Sequence, residues 1–192
     1  MSTPARQLLR RPERQASILR AAASVFAHAG YAATSMDDVA VAAGVTRLIV
    51  YRNFESKEGL YRSVLERVSV RLRDEFIAGL ERLEQGFVVR SLLTVAREDP
   101  DGFRLLWVHA AREPQFADYA REYRAGAVGA ADELIGRAIA DRVFRRWATN
   151  ALVGMLVESV LAWLDEGDPR RDDEFVAVAT AGLRAMVTEL AD

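Results

Sequence analysis

Cysteine is absent from the 192-residue chain, which excludes disulfide bonds and thiolate metal sites and is typical of a cytoplasmic protein. Histidine is scarce: the chain has two, His28 and His109, and they stand far apart in the sequence. No glycine-rich phosphate loop and no His-Glu-x-x-His pattern occurs, and most carboxylates fall at predicted helix starts. We therefore expect no catalytic residue, no metal and no cofactor.

Long apolar runs are missing as well. The longest uncharged run near the C-terminus, ATNALVGMLV at residues 148–157, is much shorter than the about 20 apolar residues that span a bilayer. The N-terminal sequence MSTPARQLLRRPERQ contains no apolar secretory segment. Hydrophobic residues nevertheless make up 51% of the chain, enough to build a substantial core. The sequence predicts a globular, cytoplasmic protein with no membrane partner.

Basic residues are concentrated in the first third of the chain. Residues 1–62 hold nine Arg or Lys and five Asp or Glu, whereas the remaining residues hold 17 basic and 23 acidic ones. The chain therefore joins a basic module to an acidic body, and a basic module favours contact with nucleic acid.

Apolar residues recur at helix spacing along almost the whole chain, and no stretch alternates as a strand would. A first helix ends at Gly30. A second, capped by Thr34 or Ser35, ends at Gly44, and a third runs from Thr46 to about Asn53. A fourth begins at Ser56, and breaks between later helices are predicted at residues 99–102, 114 and 167–169. The connection at residues 136–142 fits either a turn or one bent helix.

The third predicted helix, within GVTRLIVYRNF at residues 44–54, has the features of a recognition helix. Three short helices with a glycine-containing turn before the last match a helix-turn-helix unit, which places its final helix in the DNA major groove. At about 100° per residue, directing Val50 and Phe54 inward turns four residues outward: Arg47, Leu48, Tyr51 and Arg52. This face can reach base edges and phosphates. The alternative, that Leu48 and Ile49 are core residues, is equally compatible with the pattern.

Several short motifs at fixed spacing carry a resemblance to a known family: Gly30-Tyr31, Thr34-Ser35-Met36, Val39-Ala40, Ala43-Gly44-Val45, Tyr51, Phe54, Ser56-Lys57 and Leu60-Tyr61. Together, over residues 14–62, they resemble the N-terminal signature of TetR-family transcriptional regulators. The resemblance implies an all-α homodimer, usually a repressor, with a diverged C-terminal domain that binds a small effector.

The resemblance also implies roles for individual residues. The family's phosphate contacts fall on Thr34, Tyr51 and Lys57. Its base-reading positions fall on four residues of the predicted recognition helix and its cap: Thr46, Arg47, Leu48 and Arg52. Leu48 and Ile49 replace the small or hydroxyl residues common in the family, so the operator sequence cannot be inferred from relatives.

The predicted domains are therefore residues 1–57, the three-helix DNA-binding module, and residues 58–192, a larger helical domain for effector binding and dimerisation. We expect the partners to be double-stranded DNA, a second copy of the chain and a small apolar or aromatic effector. The fourth helix belongs to both regions and can couple them. The alternative function is a helical protein-interaction module that does not bind DNA.

Two sets of residues are predicted in the second domain. The last two helices are apolar on two sides, which favours a symmetric dimer interface containing Leu156, Val160, Trp163, Leu183, Met186 and Val187. Aromatic residues between residues 100 and 150 can line an apolar effector pocket: Phe103, Trp107, His109, Tyr119, Tyr123 and Trp147. Aromatic residues at this spacing also fit an ordinary core, and His109 also fits a structural role.

Overall fold

The computed structural model describes residues 11–135 and 138–191, and this part of the chain is helical without a strand. The α-helices are α1 (Arg11–Ala29), α2 (Met36–Ala42), α3 (Arg47–Asn53), α4 (Lys57–Glu81), α5 (Phe87–Glu98), α6 (Pro100–Arg104), α7 (Ala117–Ile135), α8 (Arg142–Glu166) and α9 (Asp172–Ala191). A π-helical turn (Leu105–His109) and a 3₁₀ turn (Ala110–Arg112) follow α6, and a second 3₁₀ turn (Pro169–Arg171) precedes α9. The predicted all-α fold is confirmed.

The chain divides into two compact units between Glu66 and Arg67, later than the predicted boundary after residue 57. The described part of the first unit contains α1, α2, α3 and the beginning of α4. Its core is formed by fully buried apolar side chains from all four helices, among them Ile18, Phe26, Val39, Val50 and Leu60. These contacts fix α3 with one face inward.

Local sequence signals place α2 and α3 within the first unit. Gly30 and Gly44 adopt positive φ angles of 81° and 63°, which glycine tolerates without a Cβ clash. The Ser35 side chain accepts a hydrogen bond from the Asp38 amide, and the Asp38 carboxylate accepts one from the Ser35 amide. This is the predicted capping box, and it starts α2 immediately before the turn that leads to α3.

The second unit packs α5, α7, α8 and α9 with the remainder of α4. Helix α8 lies against α5, α7 and α9, and eight of its residues are buried. By length and composition α8 could cross a membrane, but a helix at the centre of a globular domain has the same composition. Its burial among three neighbours accounts for its apolar character.

The connection between α7 and α8 is a break rather than a bent helix. Helix α7 ends at Ile135, and the Asp141 carboxylate caps α8 by accepting hydrogen bonds from the amides of Val143 and Phe144 at 2.8 and 2.9 Å. Such a cap marks the start of a separate helix. Residues 136 and 137 lie outside the described part.

Candidate nucleic-acid interface and ligand cavity

Helix α3 presents the predicted face to solvent. Leu48 is 59% exposed and Tyr51 is 40% exposed, whereas Val50 is fully buried. Arg47 and Arg52 are also exposed, and Ile49 is half-buried. The alternative that Leu48 is a core residue is therefore wrong. An exposed leucine between two arginines can contact a thymine methyl group in the major groove.

Arg47 is held along α3 by two neighbours. Its guanidinium donates to the Asp37 carboxylate at 2.9 Å and to the Tyr51 hydroxyl at 3.4 Å, and it lies 5.2 Å from the centre of the Tyr51 ring. The Tyr51 hydrogen bond, with the charge of Asp37, raises the pKa of Arg47 above its usual range. Because the Arg47–Asp37 pair is exposed on both sides, its net strength is low, and DNA can replace Asp37.

Asp37 was missed by the sequence analysis as a neighbour of this surface. It lies ten positions before Arg47, and a contact between two helices joined by a turn has no short-range sequence signal.

Thr46 stands at the N-cap of α3, with φ −79° and ψ 152°, but its hydroxyl makes no capping hydrogen bond within the described structure. The residue is exposed. Its hydroxyl is therefore available beside Arg47, at the end of the recognition helix that contacts base edges in helix-turn-helix complexes.

Two of the predicted phosphate contacts have other partners in the structure. Thr34 is only 3% exposed, and its hydroxyl donates to the Gly30 carbonyl at 2.8 Å. Burial therefore argues against a phosphate contact by the Thr34 side chain. The Lys57 ammonium donates to the carbonyl oxygens of Tyr31, Ala32 and Thr34 at 2.8, 3.4 and 2.9 Å. Its three N–H groups thus have carbonyl partners within the first unit.

The second unit contains a cavity of about 540 Å³ between α4, α5, α7 and α8, within the usual size range of ligand sites. Its lining is mostly aliphatic, and along α7 it is built largely from glycine and alanine: Gly126, Ala127, Ala130 and Ala131. The lining extends on α7 from Glu122 to Ile135. At 1.5 Å per residue this distance is about 20 Å, so the cavity is long.

Two of the six predicted pocket residues line this cavity: Trp107, which belongs to the π-helical turn, and Tyr123. Their ring centres are 5.3 Å apart in an edge-to-face arrangement, and burial raises the pKa of the Tyr123 phenol. Tyr119 lies behind the lining, where its hydroxyl is 3.0 Å from that of Ser69.

The other predicted pocket residues are elsewhere. Phe103 is fully buried behind Trp107, and Trp147 is 55% exposed on α8. His109 is half-buried outside the lining, where desolvation, together with the charges of Arg112 and Arg104, lowers its pKa. These three residues do not line this cavity, because a hydrophobic pattern does not distinguish a core side chain or an exposed one from a cavity wall.

Most of the predicted dimer residues are buried, or make contacts, within the protomer itself. Leu156 and Val160 are buried, and Leu183 lines the cavity. The Trp163 indole donates to Asp172 at 2.7 Å and its ring stacks on Phe175. Met186 and Val187 are half-buried. Since a buried side chain of the protomer offers little surface to a partner, the burial of Leu156 and Val160 argues against their predicted roles.

A different face of the last two helices remains exposed. On α8 it contains Met155 and Ala162, and on α9 Val178, Ala181, Gly182 and Ala185. Val178 is 68% exposed. On α9 these positions repeat every three or four residues and form one apolar strip, whereas on α8 Met155 and Ala162 lie seven residues, or two helical turns, apart on one side, and this pair is called the α8 strip.

Comparisons with known proteins agree with this architecture. Residues 18–64 match the model of the bacterial regulatory proteins of the tetR family. The chain is 30% identical over 179 residues to the HTH-type transcriptional activator FasR of Mycolicibacterium smegmatis, covering 88% of this chain and 80% of that protein.

Two solved structures share the fold. A TetR-like transcriptional regulator from Rhodococcus sp. RHA1 has a TM-score of 0.74 at 19% identity, covering 95% of this chain and 96% of that one. The fatty acid degradation regulator FadR from Bacillus halodurans has a TM-score of 0.70 at 19% identity, covering 91% and 96%.

The sequence relationship extends across both units, and the matched family segment contains the exposed face of α3 and the helix-turn-helix that carries it. This relationship sets aside the alternative of a docking module that does not bind DNA. The chain is a member of the tetR family of bacterial regulatory proteins, a DNA-binding transcriptional regulator and not an enzyme.

Proposed function

We propose that the protein is a cytoplasmic homodimer that reads an operator with α3 and responds to an apolar small molecule bound in the cavity of its second unit. The observation that carries the DNA-reading part is the exposed face of α3, where two arginines and a leucine surround Tyr51. The long cavity, which includes residues of α4, supports the ligand response.

Each residue of the α3 face has a distinct proposed task. Arg47 exchanges Asp37 for a guanine edge, since guanidinium binds guanine O6 and N7 as a bidentate donor. Leu48 contacts a thymine methyl, and the Tyr51 hydroxyl donates to a phosphate. Thr46 and Arg52 complete the interface at the two ends of α3. Thr34 and Lys57 are left out, because their polar atoms are engaged within the first unit.

The dimer interface is proposed to be the exposed apolar strips of α8 and α9. Small side chains, including Ala181, Gly182 and Ala185, allow helices to approach closely, and a two-fold axis would pack the same strips of both protomers together. Met186 and Val187, at the side of the α9 strip, stay in this proposal. Two α3 helices on one dimer could then occupy successive major grooves about 34–36 Å apart.

The effector is proposed to be an elongated amphiphile with an aliphatic tail. The two serine hydroxyls of the lining are already satisfied, because Ser91 donates to the Phe87 carbonyl at 2.7 Å and Ser69 pairs with Tyr119. Two charged residues belong to the lining: Arg73 follows Ser69 by one helical turn, and Glu122 follows Tyr119, the partner of Ser69, by one turn. A ligand can therefore place a polar head near these two residues and an apolar chain along α7.

The name of the structural relative that regulates fatty acid degradation supports a ligand of this kind. The curated relative is named as an activator, and the direction of the effect on transcription depends on where the operator lies relative to the promoter. We propose repression, relieved by the ligand, for operators that overlap a promoter.

Helix α4 is the proposed link between ligand and DNA. One side of this helix lines the cavity with Ser69, Val70, Leu72, Arg73 and Phe76, and the same helix begins shortly after α3. On its other side, Arg67 pairs with Asp99 and Arg71 donates twice to Glu98 at 2.8 Å, which ties α4 to the end of α5. A ligand that displaces α4 against these ion pairs changes the position of α3 and weakens operator binding.

The test is a thermodynamic cycle with straight-chain methyl esters bearing octyl, dodecyl and hexadecyl tails as probes. Affinity for the esters should rise with chain length until the cavity is full, and saturating operator should weaken it by about 5- to 150-fold, as a coupling of about 1–3 kcal/mol requires. Ala130→Phe, in the cavity wall, should reduce ester affinity at least tenfold. Ala125→Phe, on the exposed side of the same helix, is the matched control.

Ester affinities that are equal with and without operator would contradict the coupling. Equal effects of the two phenylalanine variants would remove the cavity as the binding site. Neither result bears on DNA reading by α3, which is measured without ester.

A further inference from the structure

We propose that Lys57 is a positioning residue that holds the helix-turn-helix in its DNA-reading geometry, and that it does not contact a phosphate. The Lys57 side chain and the carbonyl oxygens of Tyr31, Ala32 and Thr34 are called the Lys57 clamp. This role differs from the phosphate contact that the family resemblance implies at this position.

The geometry of the clamp uses the full donor capacity of the side chain. A lysine ammonium has three N–H groups and no acceptor. The Lys57 Nζ lies 2.8, 3.4 and 2.9 Å from the three carbonyl oxygens, and it is also 4.4 Å from the centre of the Tyr31 ring. A phosphate could be bound only by giving up one of these contacts.

The Tyr31 ring, which faces the Lys57 ammonium, is held in place by two aromatic neighbours. Tyr31 stacks on Phe26 with ring centres 5.9 Å apart and meets Tyr61 edge-to-face at 5.3 Å. Both of those partners are buried in the core of the first unit. A cation held between fixed carbonyls and a fixed aromatic face has a single position, and the attraction to the ring adds to the hydrogen bonds.

The position of the clamp in the chain gives it a function. Its carbonyl oxygens belong to the turn just before α2. Lys57 is the first residue of α4, the helix that follows α3. The clamp therefore joins the two ends of the helix-turn-helix, residues 31–57, by a contact that is remote in sequence. Since base readout needs α3 placed accurately in the groove, loss of the clamp should harm specific binding more than general attraction to DNA.

The first test uses the fact that Lys57 is the only lysine in the chain. Reductive methylation of Lys57 should be at least tenfold slower than that of a reference lysine introduced by Arg170→Lys, at a side chain that is 90% exposed. Addition of duplex DNA should leave the Lys57 rate unchanged. A fast reaction that DNA suppresses would overturn the proposal, because it would place the amine at the DNA surface.

The second test compares Lys57→Met with Lys57→Arg on two duplexes, one selected from genomic DNA by the wild-type protein and one of shuffled sequence. Arginine keeps the charge, but its planar fork cannot direct donors at three separate carbonyls as an ammonium does. Both variants should therefore lose at least tenfold affinity for the selected duplex and little for the shuffled one. The salt slope on the shuffled duplex should stay that of the wild type.

The phosphate role predicts the opposite pattern in the second test. Lys57→Met would then weaken both duplexes alike and lower the salt slope by about 0.9 per half-site, while Lys57→Arg would retain binding. That result would overturn the proposal. The methylation rates decide the question separately, with Lys57 intact, if either variant fails to fold.

Discussion

Gly102→Ala tests the packing of the corner between α5 and α6, where the part of α4 that belongs to the second unit is paired with the end of α5. A Cβ at Gly102 would lie 2.7 Å from the Val68 side chain and 2.7 Å from the carboxyl carbon of Asp99, and still closer to one Asp99 oxygen. Real Cβ atoms do not approach other atoms so closely. The Asp99 carboxylate, which accepts from the Gly102 amide and pairs with Arg67, would have to move.

The expected cost follows from three contributions. Overpacking costs about 1–3 kcal/mol, and loss of the Asp99 cap costs about 1 kcal/mol. The better helix propensity of alanine returns about 1 kcal/mol. We therefore expect Gly102→Ala to lower the free energy of unfolding by about 1–3 kcal/mol, which is a fall in Tm of about 2–4 °C per kcal/mol for a chain of this size.

The matched control is Gly129→Ala in α7, where an added Cβ meets no atom within 4 Å. That change should stabilise the protein by about 0.5–1 kcal/mol through helix propensity alone. Thermal unfolding at one protein concentration gives both values, since the stability of a dimer depends on concentration. A Gly102→Ala protein as stable as Gly129→Ala would refute the reasoning from packing.

Three further predictions concern base readout by α3, the dimer interface and the ion pair between α5 and α9. Arg47→Ala should reduce the preference for one base at one operator position by about 1–3 kcal/mol, whereas Tyr51→Phe should lower the affinity for all DNA sequences alike. A fluorescence binding assay on operators with single-base changes distinguishes the two effects. Val178→Arg should give monomers in sedimentation, while Leu83→Arg, at a residue that is also exposed but lies outside the strips, leaves the dimer intact. A dimer in both would rule out the α9 strip. Asp172→Asn should cost about 1–3 kcal/mol at pH 7, because hydrogen bonding to Arg97 keeps the pKa of Asp172 below its usual value. This contribution is present above about pH 4 and disappears as pH falls through the lowered pKa, so denaturant curves of variant and wild type should converge in acid.

Much of the first unit could be predicted from the sequence, because its signals are local. The Ser35 cap, the turn at Gly44 and the inward positions of Val50 and Phe54 are all set by residues within a few positions of one another. Helix periodicity then decides which side of α3 is exposed.

The partners of Thr34 and Lys57 could not be predicted in this way. The Lys57 clamp spans more than 20 positions, and the position of a lysine at a helix start suggests a phosphate as readily as a carbonyl. Tyr31 and Lys57 belong to two separate motifs of the family signature, Gly30-Tyr31 and Ser56-Lys57, and the spacing of two motifs does not indicate which atoms are in contact.

In the second unit, prediction from the sequence was limited more strongly by contacts that are remote in the chain. The breaks around Pro100 and Pro169 were predicted by local chemistry, but the assignment of apolar residues to core, cavity or dimer face depends on tertiary packing. Val160 and Val178 illustrate this: both are apolar helix positions, yet one is fully buried and the other is exposed. Large residues were expected to form the dimer face, whereas the exposed strips consist mainly of small ones.

The central claim is that α3 gives this protein a preference for one DNA sequence. The most direct measurement is the ratio of its affinities for a duplex selected from genomic DNA and for the same duplex with shuffled sequence, both at one physiological salt concentration. We predict a ratio of at least about 10³, in the range of specific regulators. Equal affinities would contradict the claim, because they would leave only the attraction of a basic surface to phosphates.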